Sequence, residues 1–185
     1  MEVVRTGQSW LDGLGLAKGA VTEVVSPQGG AGLVIACLLE HKGTVNEPVA
    51  LVDGGDAFDP WSVAPAMLER LLWLRCRETT LAMKAADLLL RDGNIPLVLL
   101  DLQPQALKEV QGLHSSLWHR LRLLAEKSGC SLCVLTPVRC VPCARSRVVL
   151  EPRFTLEDQH SDHSALAARL HLRQDRQAHI LTAIA

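Results

Sequence analysis

Tyrosine is absent from the 185 residues, and aromatic side chains make up only 3% of them. That scarcity argues against a stacking platform for single-stranded nucleic acid, which needs successive aromatic faces. Long apolar runs are missing as well. The most apolar stretch, Ala31 to Leu39, is far shorter than the ~20 residues that cross a bilayer. No basic segment followed by an apolar run opens the sequence, so no signal peptide is read. The expected setting is cytoplasmic, with no membrane partner. Charge of one sign is also lacking: the formal net charge is -1, which excludes a histone-like binder driven by bulk charge. Without a secretory pattern, the six cysteines read as reduced thiols.

What is present is apolar content of 48%, enough for a packed core in one domain covering 1–185. The near-neutral average hides an asymmetry. Residues 1–60 carry three basic side chains (Arg5, Lys18, Lys42) and eight acidic ones, whereas 118–153 carry seven basic ones against Glu126 and Glu151. An anionic partner should therefore favour the C-terminal half.

Short apolar runs alternate with helical segments, the pattern of a mostly parallel sheet covered by helices. Strands are predicted at Val21–Val25, Val49–Val52, Leu71–Leu74, Leu97–Leu100 and Ser131–Leu135. A turn at Lys18-Gly19 introduces the first. Helices are predicted at about Leu33–His41, Pro60–Leu68, Thr79–Arg91 and Gln105–Lys127. The first of these is apolar on nearly every face and should be buried. On the third, Leu81, Ala85, Leu88 and Leu89 are expected to line one face, and Asp92-Gly93-Asn94 to stop it. In 151–185 edge strands and loops are expected; Val148–Leu150 and Ala168–Leu172 read as antiparallel strands at the sheet edge.

Between the first strand and the first helix lies Ser26-Pro27-Gln28-Gly29-Gly30-Ala31-Gly32-Leu33. Strand, glycine-rich turn and helix form the setting of a phosphate-binding loop of the form G-x-x-x-x-G-K-[ST]. In such a loop backbone N–H groups cradle the phosphates, the lysine neutralises them and the hydroxyl ligates magnesium. Here Gly32 stands at the lysine position and Leu33 at the hydroxyl position; the next lysine is Lys42. Neither residue offers charge or a metal ligand. The glycines then serve a tight turn and close helix packing.

Family motifs surround this turn. Arg5-Thr6-Gly7 with Leu11-Asp12, then Leu14-Gly15, Lys18-Gly19 and Val21 to Pro27, resemble the entry to the core domain of the RecA recombinase family. The run Ala50-Leu51-Val52-Asp53-Gly54-Gly55-Asp56-Ala57-Phe58-Asp59-Pro60 resembles that family's second-strand segment, in which a glutamate polarises the attacking water. Gly55 holds that glutamate's place. Leu97 to Asp101 resembles the Walker B strand, and Asp101 keeps its acid. The segments Leu68 to Cys76, Ala82 to Leu90 and Trp118 to Arg122 look most like the ImuA subfamily, related to SulA, of RecA-like proteins. The likeness spans roughly 5–150.

The resemblance implies a RecA-like, P-loop-type three-layer αβα sandwich around a mostly parallel sheet, stripped of catalysis and of a nucleotide cofactor. It further implies an accessory role in the SOS response and translesion synthesis, with an ImuB-like protein or error-prone polymerase as partner and weak DNA contact. The alternatives are a SulA-like division inhibitor that binds FtsZ, or a residual ATPase that borrows a lysine from a neighbouring subunit.

Other clusters suggest less. Cys130-x-x-Cys133 and Cys140-x-x-Cys143 hold enough thiols for zinc, but the first pair lies in an apparent strand, where side chains three apart face opposite ways. Asp158, His160, Asp162 and His163 are potential ligands in a polar stretch expected as a solvated loop. Trp73 reads as core. Trp118, Arg120, Arg122, Arg139, Arg145 and Arg147 are the candidate contacts for a protein partner or DNA, with Arg153 extending the basic set.

Overall fold

β-Branched and leucine-rich runs of five to seven residues pair into a single seven-stranded sheet. The strands are β1 (Val21–Val25), β2 (Val49–Asp53), β3 (Leu71–Arg75), β4 (Leu97–Asp101), β5 (Ser131–Thr136), β6 (Ser146–Pro152) and β7 (Leu170–Gln174), in the order β3-β2-β4-β5-β1-β6-β7. The computed structural model describes residues 14, 16–40, 47–152, 158, 161, 163–167 and 169–175. Every neighbouring pair is parallel except β6 with β7.

That pairing corrects the antiparallel reading of Val148–Leu150. β6 runs parallel to β1, with Glu23 opposite Arg147 and Val24 opposite Val148, and only β7 is antiparallel and at the edge. The connection 137–145 makes this geometry available. Nine extended residues reach ~30 Å, enough to return along β5, and Arg145 N–H bonds the Val21 carbonyl at 2.8 Å where β1 begins.

Strand alternation divides the interior into two cores. Val49, Leu51, Leu97, Leu99, Cys133 and Leu135 face one side, with helix α1 (Ala31–Glu40). Ala50, Val52, Val98, Leu100, Leu132 and Val134 face the other, with α3 (Thr79–Asp92) and α5 (Ser115–Ser128). The central strands are thus covered on both faces, and the architecture is the expected three-layer αβα sandwich.

The helices differ from expectation in three instructive places. Helix 60–68 splits into a 3-10 turn, Pro60–Ser62, and α2 (Pro65–Leu68), because a residue before proline is driven extended, as Ala64 is (φ -63°, ψ 142°). The long segment 105–127 splits into α4 (Leu107–Gln111) and α5. His114 adopts an extended conformation between them, and its Nδ1 accepts from Ser116 N–H at 3.3 Å. On α3 the buried stripe is Thr79, Ala82, Met83, Ala86 and Leu90 rather than the predicted one. Leu81 and Leu88 are exposed, while Ala85 and Leu89 are half-buried. The predicted stop holds: Gly93 is left-handed (φ 73°) and its N–H caps the Leu89 carbonyl. A last short helix, α6 (His163–Ala167), packs on α1.

Candidate functional site

Ligands of open α/β sheets bind beyond the carboxyl ends of the parallel strands. At that edge the fold gathers the turn after β1, the loop after β2 and the end of β4. The turn is closed on itself. Ser26 is buried, its N–H bonds the Thr136 carbonyl at 2.8 Å, and its hydroxyl donates to the Gly29 carbonyl. Gly29 and Gly30 sit at φ 85° and 90°, a region that side chains avoid. A Cβ at Gly30 would also approach Leu150 Cδ2 to 3.1 Å, so β6 lies directly against the turn.

Helix α1 starts at Ala31. The lysine and hydroxyl positions, Gly32 and Leu33, line a cavity of about 260 Å³ with Ala57, Phe58, Asp59, Ser62 and Leu166 of α6. Its walls are largely apolar, and among the described residues its single charged group is an acid and no cation lines it. A magnesium nucleotide needs the opposite: positive charge for the phosphates and an oxygen ligand for the metal. The residues present do not fit that group.

The loop after β2 is built around Asp53, which is fully buried and accepts from Ala57 N–H and Phe58 N–H at 3.0 Å each and from Trp73 Nε1–H at 3.2 Å. Three donors hold it as a structural anchor. Trp73 is half-buried, packs edge-on against Phe58 with ring centroids 5.3 Å apart, and joins the first core as expected. Gly54 N–H bonds the Asp101 carbonyl at 2.9 Å, and a Cβ on Gly54 would lie 2.4 Å from that oxygen. At Gly55, the place of the glutamate, a Cβ would lie 2.4 Å from Pro104 Cβ. Pro104 therefore fills the space a catalytic side chain would leave from. Asp56 (φ 54°) is gripped by Arg75, which donates from both Nε and Nη2, and by Arg77 at 3.7 Å. Their positive charge and hydrogen bonds hold its carboxyl below the ordinary range.

Asp101 lies opposite Asp53 in the ladder and accepts from Gln103 N–H at 3.0 Å. Burial pushes its pKa up to about 7; the Gln103 bond opposes that rise and the Asp53 charge adds to it. Its acid survives, then, as a carboxyl that carries a proton much of the time at neutral pH.

Of the predicted contact residues, Trp118, Arg139 and Arg147 line one cavity of about 440 Å³, whereas Arg120, Arg122 and Arg145 do not line it. Trp118 is 1% exposed and belongs to the second core, so it is withdrawn as a surface contact. Arg147 is likewise withdrawn. At 4% exposure it forms a buried pair with Glu23 and donates to the Val141 carbonyl at 2.6 Å. Glu23, opposite it in the ladder, also accepts from Cys140 N–H at 2.8 Å and Val141 N–H at 3.0 Å, pinning 137–145 over the sheet. An arginine in a basic half-chain gives no sequence sign of this. The signal that could have exposed it is Glu23 itself, an acid in the middle of a buried strand. Arg120 and Arg122 are on α5, paired with Asp87 at 2.5 Å and Glu126 at 2.9 Å. Arg139 meets Asp175 at 3.4 Å, and Arg145 is exposed on the same connection. Arg153 lies outside the described residues.

Cys130 and Cys133 fall on opposite faces of the sheet, as the strand reading requires, and Cys140 and Cys143 pack with Cys130. Burial raises the thiols of Cys133 and Cys140 to about 12, the behaviour of core cysteines. Of the polar cluster, His160, Asp162 and the side chain of His163 lie outside the described residues, while Asp158 pairs with Arg169.

No protein-family profile and no curated protein matches the chain. Among solved structures it is similar to the crystal structure of the RadB recombinase: TM-score 0.61, 18% identity, covering 80% of this chain and 82% of that one. The RecA-like α/β fold is thereby shown.

Proposed function

From a recombinase fold whose phosphate turn is stripped of charge, we propose a non-catalytic RecA-like accessory protein of DNA-damage (SOS) tolerance. It serves translesion synthesis by holding an ImuB-like or error-prone polymerase partner through protein contacts. The carrying observation is the cavity at Gly32 and Leu33, lined by Leu33, Phe58 and Leu166 where a triphosphate would need cations. The closure of Gly55 by Pro104 supports the same reading, since a water-polarising glutamate has no room there. The likeness of Leu71 to Cys76 and of Trp118 to Arg122 to ImuA supports the repair outlet over division control.

Two experiments test this proposal. Titration calorimetry of the full chain with Mg-ATP is expected to show no binding; a micromolar Kd refutes the non-catalytic reading. Co-purification with an ImuB-type protein is expected to succeed. Failure there, together with filamentation on overexpression, assigns the chain to the SulA-like alternative.

A further inference from the structure

Helices α3 and α5 lie side by side on the second core, and each connects two parallel strands, so they run in the same direction. Between them opens a groove of about 520 Å³, within the ~300–1,000 Å³ of ligand pockets. Met83, Leu113 and Leu121 form its floor, and its lips are Leu88, 67% exposed, and Leu117, 39% exposed. Large apolar side chains left in water on both lips of an apolar cleft mark an interaction site rather than scattered surface leucines.

The charge around the groove selects the occupant. Asp87 is held between Arg91 at 2.8 Å and Arg120 at 2.5 Å, and exposed Lys84 forms no ion pair among the described residues. Of the charged groups that line the groove, Lys84 and Arg120 are cations, and Asp87, already paired, is the one acid. A nucleic-acid backbone would not use the leucine floor. A second copy in isologous contact would set this cationic rim against itself.

We infer that the α3–α5 groove binds a short acidic amphipathic segment of a partner protein. One or two bulky apolar side chains enter between Leu88 and Leu117, and a carboxylate lies against Lys84 and Arg120. This inference deepens the reading of the chain as a protein-binding module and rests on it.

The test uses a random 12-residue phage-displayed peptide library selected on the immobilised full chain, with enriched peptides measured singly by fluorescence polarisation. Enriched peptides are expected to combine leucine, isoleucine, methionine or phenylalanine with aspartate or glutamate. Leu117→Asp and Leu88→Asp, both at exposed positions, should each weaken binding at least tenfold while circular dichroism is unchanged. Lys84→Glu with Arg120→Glu should turn the selection towards basic peptides. The inference is overturned by no enrichment, by peptides that bind Leu117→Asp as well as the parent, or by a basic consensus on the parent. Concentration-dependent dimerisation abolished by Leu88→Asp also overturns it and assigns the face to a second copy. Should an ImuB-type partner still co-purify with Leu117→Asp, the groove assignment fails while the scaffold reading stands. Mg-ATP binding alongside groove-dependent peptide binding gives the reverse outcome.

Discussion

Asp101 shows what an acid costs at the end of a buried strand, where no cation faces it among the described residues. Its carboxyl is buried beside Asp53, and its pKa is raised from 3.8 to about 7. The folded state therefore holds the proton more tightly than the unfolded chain does. Stability from this group is full below about pH 4 and is lost as pH rises through 7. Asp101→Asn keeps the acceptor for Gln103 N–H without the charge. It should leave stability at pH 4 nearly unchanged and raise it by a few kcal/mol at pH 8, at ~1.4 kcal/mol per pH unit. Urea unfolding at several pH values reads this directly, and parallel profiles for parent and variant contradict it. Glu23 and Arg147 behave differently because each completes the other. Arg147→Ala strands a buried carboxylate and should cost about 3–5 kcal/mol, whereas Glu23→Gln with Arg147→Met should cost much less. A double-mutant cycle by denaturant unfolding measures the coupling. The sequence revealed that Asp101 ends a buried strand. It could not reveal that Pro104, forty-nine positions beyond Gly55, packs against that glycine, because that contact depends on how two loops meet.

Among the elements, the first five strands were the most legible, the half-exposed edge strand β3 as closely as the four buried on both faces. β1, β2, β4 and β5 fall within a residue of their predicted limits, since a continuous apolar run between turn residues has few other uses in a parallel sheet. Helix orientation was harder to read. On α3 the bulky Leu81 and Leu88 suggested the core face, but the side against the sheet is made largely of small residues, Thr79, Ala82 and Ala86, with Met83 and Leu90. Hydrophobic bulk and buried face part company here: Leu88 lines the groove between neighbouring helices, and Leu81 is exposed. Stability should follow the observed face. Leu90→Ala is expected to cost about 2–5 kcal/mol, and Leu88→Ala to stay within about 0.5 kcal/mol. Thermal or urea unfolding separates these, and equal losses would mean that the helix is rotated from the orientation described. The antiparallel assignment of Val148–Leu150 failed for a related reason: direction is set by how far 137–145 can carry the chain back, not by the residues of the strand.

For the whole molecule, the proposed reading turns on whether the surroundings of the glycine-rich turn, or Gly32 and Leu33 alone, bar a nucleotide. Restoring the two missing P-loop groups decides this. Gly32→Lys with Leu33→Ser puts back the cation and the hydroxyl at the start of α1, where backbone N–H groups already favour an anion. Three features remain against turnover. The wall opposite is still Phe58 and Leu166, Asp101 is still buried with a raised pKa, and Gly55 still abuts Pro104. The parent should therefore show no rise in Tm with Mg-ATP, where a ligand at a hundredfold its Kd would add ~2.7 kcal/mol. The doubly substituted chain is expected to release phosphate no faster than background even if Mg-ATP now shifts its Tm. Adding Gly55→Glu should lower stability rather than raise turnover, because the new Cβ must displace Pro104. Steady phosphate release by the doubly substituted chain would place the defect in Gly32 and Leu33 alone. Its absence would support the reading that Phe58, Leu166, Asp101 and Pro104, and not Gly32 and Leu33 alone, stand against turnover.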